Sequence, residues 1–248
     1  MEVVAIVNRK GGVGKTATAL ALGAGLIRKG KKVLFIDLDS QTNLTSGIGA
    51  TASGFTALDI LTGQATAPDA IQKTPQGDVI AAEEALAGAE MAITGTGKEY
   101  RLKEAIDGLQ YDYIIIDTPA ALGTLTVNAL TAANSALIPV QADIDSLQGV
   151  GQLSKTIEAV KKYCNPNLRI KGILITRYNG RAILSRDMQE NLQEAAQQLK
   201  TRLYSTPIRE CISIKEAKAQ QTDIFTYAPR SNAAEDYKAF IKEFTEGN

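Results

Sequence analysis

Val3-Val4-Ala5-Ile6-Val7-Asn8-Arg9-Lys10-Gly11-Gly12-Val13-Gly14-Lys15-Thr16 is the stretch that decides how this chain is read. A mostly β-branched run, Val3–Val7, breaks into a glycine-rich turn, and an Ala/Leu-rich segment, Thr16–Lys29, follows at once. The pattern predicts a short buried strand, a tight loop and a helix. Across Gly11, Gly12, Val13 and Gly14 the absent side chains let backbone N–H groups turn inward around phosphate oxygens. Lys15 adds a point charge, the Thr16 hydroxyl is a ligand for Mg2+, and the helix N-terminus adds a favourable dipole. The usual spacing G-x-x-x-x-G-K-[ST] asks for a glycine five places before Gly14. Arg9 stands there, and a second lysine, Lys10, opens the loop.

Outward from this loop, strand-like and helix-like runs alternate. Lys31–Asp37, Asp112–Asp117, Ser135–Val140 and Arg169–Thr176 are apolar without polar alternation, as strands buried on both faces are. Gly123–Ala133, Leu147–Tyr163 and Ser185–Lys200 read as helices between them. This order predicts an α/β fold, a mostly parallel central sheet with helices on both faces. In such sheets ligands bind beyond the carboxyl ends of the strands. The stretch 51–97, rich in Ala, Gly and Thr, is expected to be an excursion of short helices and loops, with one helix at Thr56–Leu61. No repeat and no dividing linker is visible, so residues 1–248 are expected to form a single domain.

Composition removes whole classes of chemistry. The 248 residues include no His, which excludes a Ser–His–Asp triad and any His metal ligand. Two cysteines, Cys164 and Cys211, are too few for a four-cysteine metal site or a disulfide scaffold. No apolar run reaches the length of a transmembrane helix. No basic leader precedes Val3, so a secretory signal is not expected and the protein is expected to be cytoplasmic.

Three aspartates fall at strand ends: Asp37 and Asp39 in Phe35-Ile36-Asp37-Leu38-Asp39-Ser40-Gln41, and Asp117 after Tyr113-Ile114-Ile115-Ile116. Beside a phosphate loop such carboxylates hold Mg2+ through water or orient an attacking water. Asp37 is the weakest of the three and reads equally as a structural residue.

With these residues in place, the chain resembles the ParA/MinD superfamily of deviant Walker A ATPases, and within it the small, Soj-like ParA partition ATPases. The likeness lies in KGGVGKT (Lys10–Thr16), FIDLDSQTNLTSGIG (Phe35–Gly49), YDYIIIDTPAALGTLTVNAL (Tyr111–Leu130), IPVQADIDSLQGV (Ile138–Val150) and the late stretch Arg209–Tyr237. It implies a P-loop NTPase fold and a homodimer closed on ATP and Mg2+. In that dimer Lys10 matches the signature lysine that reaches the phosphates of the opposite subunit. Asp39 matches the residue that positions the attacking water, and Asp117 matches the Walker B aspartate. With Thr16 these carboxylates form the implied Mg2+ site. Ala17 stands where a second Thr is usual, which leaves only its backbone N–H for the α-phosphate. The resemblance places the adenine contacts near Arg177, Pro207 and Arg209. This chain reads TPIREC (Thr206–Cys211) in place of the commoner IPRN run.

A net charge of zero hides an asymmetry. Residues 1–149 carry 11 basic and 16 acidic side chains, residues 150–230 carry 14 and 7, and residues 231–248 carry 2 and 4. The basic part is a candidate face for phosphate backbones, or a solvated surface of paired charges, through Arg177, Arg181, Arg186, Arg209, Lys215 and Lys218; the resemblance implies that it binds DNA without sequence preference. Ser213 stands where related proteins often carry an arginine. The resemblance also implies a ParB-like centromere-binding partner that stimulates hydrolysis, and nucleoid association. The strand of the loop begins at residue 3, so a preceding helix-turn-helix is not expected. A MinD-like membrane ATPase is the alternative and needs a basic amphipathic C-terminal helix. Here Glu235, Asp236, Glu243 and Glu246 outnumber Lys238 and Lys242, so no membrane binding is expected, and Tyr237, Phe240, Ile241 and Phe244 are expected to pack into the core. A metabolic P-loop enzyme is the more remote alternative.

Overall fold

The computed structural model describes residues 1–179 and 183–246. Seven strands form one sheet: β1 (Glu2–Ile6), β2 (Val33–Asp37), β3 (Ile71–Thr74), β4 (Gly77–Ile80), β5 (Tyr113–Asp117), β6 (Ser135–Val140) and β7 (Arg169–Ile175). Their order is β3-β4-β2-β5-β1-β6-β7. All neighbours are parallel except β3 and β4.

The alternation of side chains across each strand divides the core in two. Val3, Ala5, Leu34, Ile36, Ile114, Ile116, Ile138 and Ile173 face one layer, packed under the helices Ala57–Thr62, Arg101–Ile106, Thr124–Ala132 and Ile144–Tyr163. Val4, Ile6, Phe35, Ile115, Leu137 and Leu174 face the other, under the helices Lys15–Arg28 and Asn232–Glu246. Because both faces are covered, the strands are apolar throughout, which is why they were legible as runs rather than alternations.

Two glycines let the loop's helix sit close between its neighbours. A Cβ at Gly23 would lie 2.1 Å from Phe35 Cζ of β2, and one at Gly25 would lie 2.3 Å from Ile241 Cδ1 of the terminal helix. On that terminal helix Phe240 and Phe244 are fully buried, and Phe240 meets Tyr204 edge to face with centroids 4.8 Å apart. Burial stabilises each such ring by about 1.5–3 kcal/mol. The apolar stripe of the terminal helix is therefore core, as its acidic flank led us to expect. Among the described residues no helix is long and apolar enough to cross a membrane.

One expectation is corrected. The stretch 51–97 contains two strands, and β4 extends the parallel sheet beside β2. The pair β3–β4 is a hairpin, closed through Pro75 and Gln76 between Thr74 and Gly77. The strands have four residues each, and β3, Ile-Gln-Lys-Thr, lies at the partly exposed edge of the sheet. Four residues each and partly exposed, the two strands carry no apolar run long enough to announce them.

The register fixes the site. Ile6 pairs with Asp117, and Asp117 pairs with Asp37. The end of the strand leading into the loop thus lies beside the carboxyl ends that carry both aspartates.

Candidate functional site

The loop folds as its glycines demand. Gly12 and Gly14 have φ of 75° and 84°, and Gly14 occupies the N-cap of the helix Lys15–Arg28. Such angles are costly for any residue with a Cβ. The loop is tied down from the neighbouring strands. Thr176 Oγ1, just beyond β7, donates to Val13 O at 2.6 Å, and Asn8 Nδ2 donates to Pro139 O of β6 at 2.6 Å. The Asn8 side-chain oxygen accepts from the Lys10 backbone N–H at 2.9 Å.

Lys15 is only 8% exposed and its ammonium lies 3.5 Å from the Lys10 carbonyl. Burial pulls its pKa down, against the upward pull of Asp117 and Asp39. Thr16 Oγ1 donates to Asp117 Oδ2 at 2.6 Å. The other oxygen, Asp117 Oδ1, is buried without a partner. Burial, and secondarily the Asp37 carboxylate, push the Asp117 pKa up to about 8. A buried carboxyl with an orphaned oxygen, next to a threonine hydroxyl at a helix N-terminus, fits a hydrated divalent cation. Among the described residues no cluster of three or more acidic, His or Cys side chains forms a closed metal cage. The fit is therefore to Mg2+ that keeps water and phosphate oxygens as its other ligands.

The aspartates at and just beyond the end of β2 divide their labour. The Asp37 carboxylate accepts from Thr45 N–H at 2.8 Å, Thr45 Oγ1 at 2.7 Å and Asp39 N–H at 3.0 Å. These bonds spend it on shaping the loop after β2. Asp39 is half-buried, its carboxylate accepts from the nearby Gln41 N–H at 3.1 Å, and it lines the cavity beside the phosphate loop.

That cavity measures about 440 Å³ and is walled by Gly11, Gly12, Gly14, Lys15–Ala17 and the helix Ile212–Ala219. A smaller lobe of about 160 Å³ shares Gly12, Gly14 and Ala17 and is closed by Arg177, Ile208, Arg209, Glu210 and Cys211. Of the three residues expected at the base, Arg177 and Arg209 line this lobe. Pro207 does not. The segment after Pro207 is bound in extended form to β7, with Ile208 N–H donating to Ile175 O at 2.8 Å and Tyr178 N–H donating to Ile208 O at 2.9 Å. Glu210 and Cys211 complete the wall instead. The Arg209 guanidinium turns to Asp236, at 2.7 Å from Oδ1, and so contributes backbone and side-chain stem more than charge.

The residues expected at a DNA face are placed as follows. Arg177 pairs with Glu210, Arg209 with Asp236, and Lys218 Nζ donates to Asn43 Oδ1, while Lys215 and Lys218 line the cavity. Four of the six candidates are therefore at the nucleotide mouth. Arg181 and the side chain of Arg186 lie outside the described residues.

The residue sequence reasoning did not find is Asp143. Lys10 Nζ lies 2.6 Å from Asp143 Oδ2. Asp143 also caps the helix Ile144–Tyr163, its Oδ1 accepting from Ser146 N–H at 2.8 Å. Burial alone would raise its pKa, but the bonds from Lys10 and Ser146 outweigh burial and hold it below the usual carboxylate range. The Asp-x-x-Ser spacing directly after β6 was the available signal.

The comparisons agree with this geometry. The family model described as an AAA domain matches residues 1–170. The chain is 41% identical to sporulation initiation inhibitor protein Soj of Bacillus subtilis, over 98% of this chain and 97% of that one. It is 36% identical to chromosome partitioning protein ParA of Caulobacter vibrioides, over 98% and 93%. Among solved structures, cobyrinic acid a,c-diamide synthase from Mycobacterium smegmatis with bound ATP analogue and magnesium superposes with a TM-score of 0.85 at 32% identity, over 100% of this chain and 97% of that one. The chain belongs to the ParA/MinD superfamily of deviant phosphate-loop ATPases, in the Soj/ParA family.

Proposed function

We propose that this protein is an ATP-dependent DNA partition ATPase, working as a homodimer that closes on ATP. The observation that carries the reading is the Thr16–Asp117 pair with its orphaned carboxylate oxygen, set beneath a glycine loop that has a lysine at each end. Phosphate oxygens are received by the backbone N–H groups of Gly11–Thr16 and by Lys15. Thr16 and Asp117 would hold Mg2+. Bound there, Mg2+ neutralises charge on the β- and γ-phosphate oxygens. Asp39, at the cavity wall with one carboxylate oxygen free of hydrogen-bond partners among the described residues, orients the attacking water. Lys10 leaves Asp143 and stabilises, in the partner subunit's site, the charge that develops on the transferred phosphoryl group.

The further cycle is part of the same proposal. The closed dimer binds DNA through phosphate contacts without base readout, a ParB-like protein on plasmid or chromosomal cargo stimulates hydrolysis, and the dimer opens. The protein is cytoplasmic and nucleoid-associated in this reading. The likeness to Soj and ParA proteins supports it, and the burial of Phe240 and Phe244 argues against the MinD-like membrane alternative.

The test is a gel shift on random-sequence DNA with and without ATP at two salt concentrations. An ATP-dependent shift that weakens steeply with salt is expected. No shift, with ATP-dependent binding to anionic liposomes, would replace this reading by the membrane one.

A further inference from the structure

The loop that leaves β5, residues 118–123, borders two cavities. Ala120 lines the nucleotide cavity with Asp39. Pro119 and Ala121 line a second cavity of about 260 Å³, together with Ser40, the residue after Asp39. Residues 119–123 are half-buried or exposed, so polar ties more than packing fix this loop. Thr118 Oγ1 donates to Ile6 O at 2.8 Å, and Thr126 Oγ1 donates to Ala121 O at 2.6 Å. A further tie comes from outside the loop. In the helix Ala89–Ala92, Glu90 Oε1 accepts from Thr124 N–H and Oε2 from Thr124 Oγ1, each at 2.5 Å. These two bonds hold the Glu90 carboxyl below the usual carboxylate range.

The helix Thr124–Ala132 begins where this loop ends, and its N-cap is Gly123, which has no side chain to cap with. Ser, Thr, Asp or Asn is the ordinary choice at that position. The backbone of Gly123 is extended and suits any residue, so its angles do not demand glycine. Space does, because a Cβ at 123 would collide with Glu90 Oε1. A local cap is thus replaced by a carboxylate from 34 positions earlier in the chain. The far end of the tie is firm, since Leu86 and Ala89 of the same segment are buried in the core. Glu90 itself borders solvent, where such bonds add little to stability. What they fix is where the loop sits relative to the core.

We propose that Glu90 is a positioning residue for ATP hydrolysis, which through Thr124 holds the loop behind Asp117 and so keeps Asp117 and the cavity wall at Ala120 in the geometry that turnover requires. Glu90 acts through the loop and touches neither nucleotide nor attacking water. This deepens the ATPase reading of the site and rests on it.

Turnover at saturating ATP, affinity for a non-hydrolysable ATP analogue and melting temperature are measured on the full chain. The variants are Glu90→Ala, Glu90→Gln, Gly123→Ala and the double variant Glu90→Ala/Gly123→Ser. Glu90→Ala is expected to lower turnover about five-fold and leave affinity within about two-fold of the wild type. Gly123→Ala, which displaces the carboxylate without removing it, is expected to show the same split, and it serves should Glu90→Ala fail to fold. Glu90→Gln keeps an oxygen for Thr124 N–H and is expected to regain most of the loss. The double variant restores a local cap without the tie, so it is expected to turn over no faster than Glu90→Ala. Turnover that returned with the serine would reduce Glu90 to a helix cap and overturn the proposal. Wild-type turnover in Glu90→Ala or Gly123→Ala, or turnover and affinity falling together, would overturn it while sparing the ATPase reading. A wild type that turned over no ATP would overturn that reading and this proposal with it.

Discussion

The Thr16 hydroxyl donates to Asp117 across 2.6 Å and satisfies one carboxylate oxygen, leaving the other buried and bare. A fold tolerates such a group when something else is meant to occupy the position. The pair is expected to be the anchor for Mg2+. Thr16→Ala and Asp117→Asn should each abolish the Mg2+-dependent part of ATP binding, measured as affinity with and without chelator. Lys15→Ala should remove binding in both conditions.

The same carboxyl sets a pH dependence in the nucleotide-free protein. Its pKa of about 8 in the fold lies above the ordinary value near 4 of the unfolded chain. Between these two values the folded state holds a proton that the unfolded state has lost, so this group's contribution to stability falls as pH rises through that window and levels off above it. Asp117→Asn cannot lose the proton. In chelator, its melting temperature should exceed that of the wild type at pH 8, and the difference should shrink toward pH 5. A variant less stable at every pH would contradict the buried, unpaired state of this oxygen.

Asp39 separates binding from turnover. Its carboxylate lines the cavity and supports only a local turn to Gln41, so its loss leaves the fold intact. Asp39→Ala should bind ATP with near wild-type affinity, accumulate as an ATP-bound dimer, and hydrolyse at least about a hundred-fold more slowly. Sedimentation and phosphate release measure the two properties on one sample. Turnover within a few-fold of wild type would remove Asp39 from the water-positioning role.

The terminal helix tests the choice between core and membrane. Phe240 is fully buried against Tyr204 and Phe244. Phe240→Ala should cost about 3–5 kcal/mol in denaturant unfolding. A peripheral membrane anchor would lose liposome binding on this change while keeping its fold.

What was legible in the sequence and what was not follow from the same physics. The strands β1, β2, β5, β6 and β7 are buried on both faces, so their apolar runs announced them, and the glycines, Lys15 and Thr16 announced the loop because its geometry admits few other residues. The hairpin β3–β4 stayed hidden, since Ile71-Gln72-Lys73-Thr74 borders solvent and carries no apolar run. Asp143 and Glu210 stayed hidden for another reason. Each lies far along the chain from Lys10 or Arg177, and only the side-by-side placement of β1, β6 and β7 brings them together. The pairing of the basic segment was not legible either: charge counted along the chain does not show that Arg177 lies against Glu210 and Arg209 against Asp236.

Asp143 bears directly on dimer closure. If Lys10 serves the partner's phosphates, it must first leave Asp143, and that departure is a cost charged to dimer closure. The side chains are 26% and 34% exposed, so the pair is worth under about 1 kcal/mol. Asp143→Asn removes the charge but keeps an oxygen to cap Ser146 N–H, so the helix Ile144–Tyr163 should survive. The variant should therefore dimerise at lower protein concentration with ATP, by up to about five-fold, with its nucleotide affinity as a monomer unaltered. Lys10→Ala should fail to form the ATP dimer or to turn over, yet still bind ATP. In the double variant, Asp143→Asn should give no gain, because the group it frees is gone. A gain that persisted without Lys10 would show that Asp143 acts on the interface by another route and that the lysine is not the element released.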